Sequence, residues 1–161
     1  MRERPGDIFA LHASTDAICL TTNGSVTHSG HAVMGRGVAL QATYKYPKIR
    51  IVLGGLLRAK GNHVFVLYNM AAGAPAIVSF PVKHTWTHRA DVNLIIRSAA
   101  ELVLLTDAMA WQEVVLPRPG CGNGGLDWER DVKHRLEAIL DSRFLIVDRA
   151  AAVAPSAQGK R

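Results

Sequence analysis

Two glycine clusters are the parts of this sequence best suited to holding a ligand. Gly35-Arg36-Gly37, preceded by Met34, stands just before an expected helix, and Gly120-Cys121-Gly122-Asn123-Gly124-Gly125 lies between an expected strand and an expected helix. Glycine lets backbone amides come close to a bound group. A glycine loop that runs into a helix N-terminus presents unpaired N–H groups to an anion, and the helix dipole adds to the attraction. Either loop alone would more often be a tight turn, but two in one small domain suit a diphosphate held from both sides. Neither continues into Gly-Lys-Ser/Thr, and neither spells G-x-G-x-x-G in the first strand-to-helix turn, which argues against Walker-type and ordinary dinucleotide sites.

Other side chains that could do chemistry are scattered between these loops. Lys83 follows Phe80-Pro81-Val82 at the end of an expected strand. A lysine shielded near other cations can lose its proton and act as an amine nucleophile, although most lysines in such places are surface residues. Asn23 has both a donor and an acceptor to offer hydroxyl groups, yet Asn23-Gly24 also reads as a turn. Asp7 opens an expected strand. Cys121 invites a thiol-nucleophile reading, but no histidine is placed by sequence as its base, so a small filler fits better. Asp127 precedes an expected helix and reads first as its cap. The pairs His84 with His88 and His28 with His31 are too sparse for a metal site, and none is expected. Trp86 and Trp128 are read as packing or rim residues.

The elements that must position these residues alternate between strand-like and helix-like segments, which points to an α/β fold with a largely parallel sheet. Strands are expected at 7–11, 17–21, 63–69, 76–80, 113–116 and 144–147, all short and rich in Val, Ile, Leu and Phe. Helices are expected at 38–46, 49–59, 89–108 and 128–140. In the third, Val92, Ile95, Ile96, Ala99, Leu102 and Val103 recur at three- and four-residue spacing and form one apolar stripe. Pro47 separates the first two helices. Residues 1–148 are expected to form one domain. The small and polar residues 149–161 are expected to be a flexible tail.

Bulk properties fit this plan. The chain has 161 residues, 48% hydrophobic and 20% charged, the composition of an ordinary globular domain. Its longest apolar runs fall far short of the ~20 residues that span a bilayer. The N-terminus has no apolar signal core, and the two cysteines make no disulfide framework, so a reduced, cytoplasmic protein is expected. Nineteen Lys and Arg against thirteen Asp and Glu give +6, with a pI near 9.7. Such a surface favours polyanions. The basic residues look scattered, however, and some of the excess sits in Arg2, Arg4, Lys160 and Arg161.

Read in order, five stretches become specific. They are Gly6-Asp7-Ile8-Phe9, Thr21-Thr22-Asn23, Val33-Met34-Gly35-Arg36-Gly37-Val38-Ala39-Leu40-Gln41, Phe80-Pro81-Val82-Lys83 and Pro119-Gly120-Cys121-Gly122-Asn123-Gly124-Gly125-Leu126-Asp127-Trp128. Together they resemble the macrodomain family, and within it the subgroup holding the terminal ADP-ribose glycohydrolase and the DarG antitoxin. The resemblance implies a three-layer α/β/α macrodomain with a mixed, mainly parallel sheet of about six strands. It also implies a pocket for ADP-ribose. Asp7 and the Ile8 backbone would meet the adenine, Asn23 the distal ribose, and Met34 would pack near that ribose. Gly35, Arg36 and Gly37, with Gly120, Cys121, Gly122, Asn123, Gly124 and Gly125, would wrap the diphosphate and distal ribose. Lys83 would act at the anomeric carbon, as nucleophile or as positioning charge.

The implied activity is hydrolysis of ADP-ribose from modified protein, with Glu or Asp as the first-choice attachment. Removal of ADP-ribose from nucleic-acid bases is the alternative, and a non-catalytic reader of the mark is the other. No cofactor and no membrane partner is implied, and a monomer is expected. The sequence departs from the terminal glycohydrolase at Gly124, where that enzyme has an aspartate. Gly125-Leu126-Asp127-Trp128 resembles DarG instead, whereas the stretch from Gly24 to Val33 is longer than in DarG.

Overall fold

The computed structural model describes residues 1–11, 15–69 and 73–149. Six strands form one sheet: β1 (Arg2–Pro5), β2 (Ala17–Asn23), β3 (Phe65–Tyr68), β4 (Ala76–Lys83), β5 (Val114–Pro117) and β6 (Phe144–Asp148). They lie in the order β1-β6-β5-β2-β4-β3. Every neighbouring pair is parallel except β3 with β4. Helices α1 (Gly37–Lys45) and α2 (Ile49–Lys60) cover one face, and α3 (Val92–Ala108) with α4 (Lys133–Glu137) covers the other. This is the three-layer α/β/α arrangement with a mixed, mainly parallel sheet.

Burial on both faces explains the composition of the inner strands. In β2, Ala17 to Leu20 are wholly buried, and β4 is buried from Ala76 to Val82. Cys19, Val78, Phe80, Leu116 and Phe144 point into the α3 side, while Ile18, Leu20, Ile77 and Val115 point into the α1–α2 side. Helix α3 lays Leu94, Ile95, Ser98, Ala99, Leu102 and Thr106 against the sheet. Asp91 caps it by accepting a hydrogen bond from the Asn93 amide at 2.8 Å, which satisfies one of the donors a helix start leaves open.

Three expected elements differ from the observed ones. Residues 7–11 do not form a strand. Asp7 Oδ1 accepts from the Phe9 amide and Asp7 O from the Ala10 amide, so the chain turns into a 3₁₀ helix at Ile8–Leu11. A short polar side chain that bonds its own backbone two residues on favours a turn over a ladder. The edge strand lies earlier, at β1, whose Arg-Glu-Arg-Pro sequence is exposed throughout and carries no apolar alternation. Contacts far along the chain hold it: the Met1 ammonium donates to Leu140 O, and Glu3 accepts from Trp128 Nε1 at 3.0 Å. The helix expected at 128–140 is divided into a π-type turn at Trp128–Val132 and the short α4. The third helix begins at Val92 instead of residue 89. The tail expected at 149–161 lies outside the described residues from 150 onward.

One irregularity matters for the site. Proline cannot donate to a sheet ladder. Beside Pro81 of β4, the register with β2 slips, so Thr22 faces Pro81 but Asn23 faces Lys83. The bulge ends the pairing of the two central strands with Asn23 and Lys83 side by side at their carboxyl ends. Bulges often re-aim side chains in this way next to functional sites.

Candidate functional site

Ligands of open α/β sheets bind outside the carboxyl ends of the parallel strands, where the chain leaves in opposite directions from neighbouring strands. Here β2 is that point, since it pairs with β4 on one side and β5 on the other. The loops after β2, β4 and β5 gather at this edge, together with the carboxyl end of β6, the turn at Asp7 and the start of α1.

A cavity of about 550 Å³ opens among them. Asp7 and Ile8 line it from one side, Val38 and Gln41 of α1 from another, and Cys121 and Gly122 from the second glycine loop. Asp7 Oδ1 is occupied by the Phe9 amide, which leaves the other carboxylate oxygen to accept from a ligand. The far wall is an ionic frame not foreseen from sequence. Arg118 pairs with Asp148 at 2.6 Å and stands over the Trp128 ring at 5.3 Å. Glu3 takes hydrogen bonds from Trp128 and Arg118 and an ion pair from Lys133. Burial acts to raise the Glu3 carboxyl, but those donors outweigh it and hold it below the ordinary range. The signal for Arg118 was weak, a single arginine between Pro117 and Pro119. Gln41 had been visible only as the last residue of the first glycine stretch.

The second glycine loop connects this cavity to Lys83. Cys121 and Gly122 face the cavity, and the next carbonyl, of Asn123, accepts a 2.9 Å hydrogen bond from Lys83 Nζ. A Cβ added to Gly37 would lie 3.4 Å from Asn123 Nδ2, so the two glycine loops abut at Asn123. Helix α1 begins at Gly37 with no side-chain cap and no acidic residue in its first turn. Its first amides are therefore open to an anion.

The glycines divide by role. Gly35 and Gly122 have no atom near the place of a Cβ, and they are exposed, Gly122 at the cavity wall. Gly120 and Gly124 are buried instead. A Cβ on Gly124 would sit 2.4 Å from Gly120 O and 2.7 Å from Ala90 Cβ, closer than any real contact. These two let the loop fold down on the start of α3, where the Ala90 amide donates to Gly124 O. Gly125 is exposed, and its carbonyl accepts from Arg89.

Other expected residues are placed as follows. Asn23 Nδ2 donates to Val33 O at 3.0 Å and its Oδ1 accepts from the Ser25 amide at 2.9 Å. It thus fixes the loop that follows β2, retaining one amide hydrogen for a ligand. Met34 is 4% exposed and belongs to the core under α1. Arg36 is exposed at the α1 start. Cys121 is half-buried, and burial pushes its thiol up to about 11, so it is not a ready nucleophile. Asp127 Oδ1 accepts from the Arg130 amide at 2.8 Å, a helix-cap contact, while the residue also borders the cavity. His84 Nε2 donates to Asp91 Oδ2 at 2.8 Å.

No family model matches the chain. A curated relative from Mycobacterium tuberculosis, named DNA ADP-ribosyl glycohydrolase, is 29% identical over 160 residues, which is 97% of this chain and 42% of the relative. The chain spans about two fifths of the length of the curated relatives it matches. Among solved structures, the macrodomain of Mycobacterium tuberculosis DarG superposes with a TM-score of 0.76 at 28% identity, covering 92% of this chain and 96% of that one. The macrodomain of Thermus aquaticus DarG gives 0.70 at 26% identity, covering 92% and 97%.

Proposed function

This chain is a macrodomain resembling those of the DarG proteins, and from that premise we propose that it binds ADP-ribose and hydrolyses it from bases of DNA. The observation that carries the proposal is the second glycine loop, which touches the Asp7–Ile8 cavity with Cys121 and Gly122 and touches Lys83 with Asn123. An elongated diphosphate ligand with an aromatic base at one end and a sugar at the other fits that layout. The base enters beside Asp7, the diphosphate lies between the α1 amides and the loop amides, and the distal ribose reaches Lys83. The names of the relatives favour DNA as the carrier of the mark over the acidic side chains expected from sequence. A plain reader of ADP-ribose would have the same pocket without needing Lys83.

In the proposed reaction the bond between the anomeric carbon of the distal ribose and the nucleobase nitrogen breaks. The base leaves with the bonding electron pair and takes up a proton. Lys83 Nζ, held at the ribose end by Asn123 O, attacks the anomeric carbon and gives up the proton that the leaving base takes. The ribosyl amine opens to an imine, and water adds to that imine to release ADP-ribose and restore the amine. Asn23 and the exposed amides around Gly122 hold the sugar in line for that attack, the orientation term that lowers such barriers most cheaply. The test is release of free ADP-ribose from an ADP-ribosylated DNA strand compared with a Glu- or Asp-modified protein. Release from the DNA supports the proposal. Release from the protein alone moves the substrate assignment to acidic side chains, and binding of ADP-ribose with no release from either leaves a reader.

A further inference from the structure

The positive charge of this protein is segregated, although it looks scattered when read along the chain. Between Ala17 and Ala90 there is no Asp or Glu at all, against eight Lys and Arg, whereas the rest of the chain carries eleven basic and thirteen acidic residues. The fold converts that segment into one side of the molecule. It comprises β2, both helices of the α1–α2 layer, β3 and β4 with the loop after it. The acidic residues of α3 and α4 lie on the opposite layer. None of the eight cations forms a close ion pair with a carboxylate among the described residues, and only Arg89 lies near enough to act on one, Asp131, whereas Arg97, Arg118, Arg130, Lys133 and Arg143 all form such pairs. Cations left without acids keep their attraction for phosphates, which is what a nucleic-acid face requires.

A path from the site onto this face is built by the long loop 24–33. It closes on itself through the bridge of Val26 with Ala32. It is pressed onto α2 so closely that a Cβ on Gly54 would lie 2.0 Å from Gly30 O, a position open only to glycine. Arg50 donates from Nε to Ala32 O at 3.1 Å, and the Arg58 guanidinium lies over Gly30, both on exposed residues. Lys60 ends the helix, also exposed. On the other side, Ser25 Oγ accepts from the amide of Trp86, three residues beyond Lys83, and the Trp86 side chain is 58% exposed. A large aromatic left in solvent beside a reacting centre offers a face on which an unpaired base can stack.

We infer that the strand bearing the modified base leaves the site as single-stranded DNA over loop 24–33, one neighbouring base stacking on Trp86 and the backbone running along Arg50, Arg58 and Lys60 of α2. This rests on the DNA reading proposed above and extends it to the surface that selects the polymer. A base joined to the ribose at Lys83 is already out of its stack, so a single strand meets Trp86 at less cost than a duplex.

The test uses the whole chain and a fluorescein-labelled, unmodified single strand, with anisotropy read across a range of salt. ADP-ribose affinity is measured in parallel by calorimetry. Neutralising the three α2 cations together (Arg50→Gln, Arg58→Gln, Lys60→Gln) is expected to flatten the log–log salt slope by about 2, since each phosphate contact to a single strand contributes roughly 0.7. ADP-ribose affinity is expected to stay as in the wild type. Arg50→Lys with Arg58→Lys keeps the slope, which separates charge from support of the loop. Trp86→Ala weakens strand binding about tenfold. Strand binding unaltered in the triple variant or in Trp86→Ala overturns the path, as does equally good competition by a polyglutamate peptide or tighter binding of a duplex. Failure of the wild type to bind ADP-ribose overturns the hydrolase reading itself, and the path with it.

Discussion

Lys83 Nζ donates a 2.9 Å hydrogen bond to the carbonyl of Asn123, forty residues further along the chain. Two sequence features make that contact. The bulge beside Pro81 turns Lys83 to the end of β4 next to Asn23, and the buried Gly120 and Gly124 let the second glycine loop descend until its Asn123 carbonyl meets the amine. Under the proposed reaction, Lys83→Ala is expected to lower kcat by at least about a hundredfold, the scale on which removing a reacting group acts. ADP-ribose affinity should change far less, because the cavity at Asp7 and Ile8 is untouched. Borohydride added during turnover should trap a ribosyl adduct on the wild type, seen by mass spectrometry at Lys83. Full activity in Lys83→Ala removes the lysine from the chemistry. Lost activity without any trapped adduct leaves it as a positioning charge.

The glycines give a prediction in which stability and binding separate. Gly124→Ala forces a Cβ into Gly120 O and Ala90, neither of which is a flexible side-chain tip. Overpacking of that kind costs about 1–3 kcal/mol, so thermal melting should fall by several degrees. Gly122→Ala meets nothing within 4 Å and should melt within about a degree of the wild type. It still places a methyl group at the cavity wall and should weaken ADP-ribose binding. Equal melting temperatures for the two variants would show that the loop does not pack as described.

How far the sequence foretold this site depends on the range of the forces involved. The parallel core was legible because strands buried on both faces become short apolar runs, as in Ala17 to Leu20 and Ala76 to Phe80. The cap at Asp127 and the centre of the α3 stripe, Ile95, Ala99 and Leu102, were legible because both are local, whereas Val92, Ile96 and Val103 are only half-buried and Leu94, Ser98 and Thr106 complete the buried face instead. β1 was not, since Arg2–Pro5 is an exposed edge held by Leu140, Trp128 and Glu113, contacts that no local pattern encodes. Residues 7–11 misled because Ile8, Phe9 and Leu11 have strand-like side chains, whereas Asp7 decides the backbone through its own hydrogen bonds. The Arg118–Asp148 wall was hidden for the same reason as β1, because it forms only when distant segments are brought together. The acid-free stretch from Ala17 to Ala90 stands in the sequence as one segment, and the fold adds its gathering on one side.

Cys121 supplies a chemical check on the lining of the cavity. Burial is the main cause that raises its thiol to about 11, with Arg118 acting weakly in the opposite direction. A thiol held neutral alkylates slowly, since the thiolate is the reactive form. Iodoacetamide labelling of Cys121 near pH 8 should run on the order of a hundredfold slower than that of an exposed cysteine, and its rate should still climb as pH passes 10. Cys19, fully buried, should label more slowly still. A labelling midpoint near pH 8 would mean an open, activated thiol and would reinstate the nucleophile reading weighed for Cys121.

Asp91 ties the end of β4 to the start of α3, and its protonation gives a pH dependence of known sign. Its carboxylate takes a 2.8 Å hydrogen bond from His84 Nε2 and another from the Asn93 amide. The His84 contact is the largest cause holding it below the ordinary aspartate range, followed by partial burial, which acts against it, and then the amides of Asn93 and Leu94. A carboxyl depressed in the folded state adds stability that is complete above its unfolded pKa and is lost as pH falls through the folded one. The window therefore lies below about pH 4. The His84 contact is partly exposed and contributes little, so the cap dominates. Asp91→Ala is expected to cost about 1 kcal/mol near neutral pH, or roughly 2–4 °C of melting temperature for a chain of this size. Below the window the wild type loses the same contribution, and the gap between the two proteins should close. A gap that persists unchanged in acid would show that Asp91 acts through packing and not through its charge.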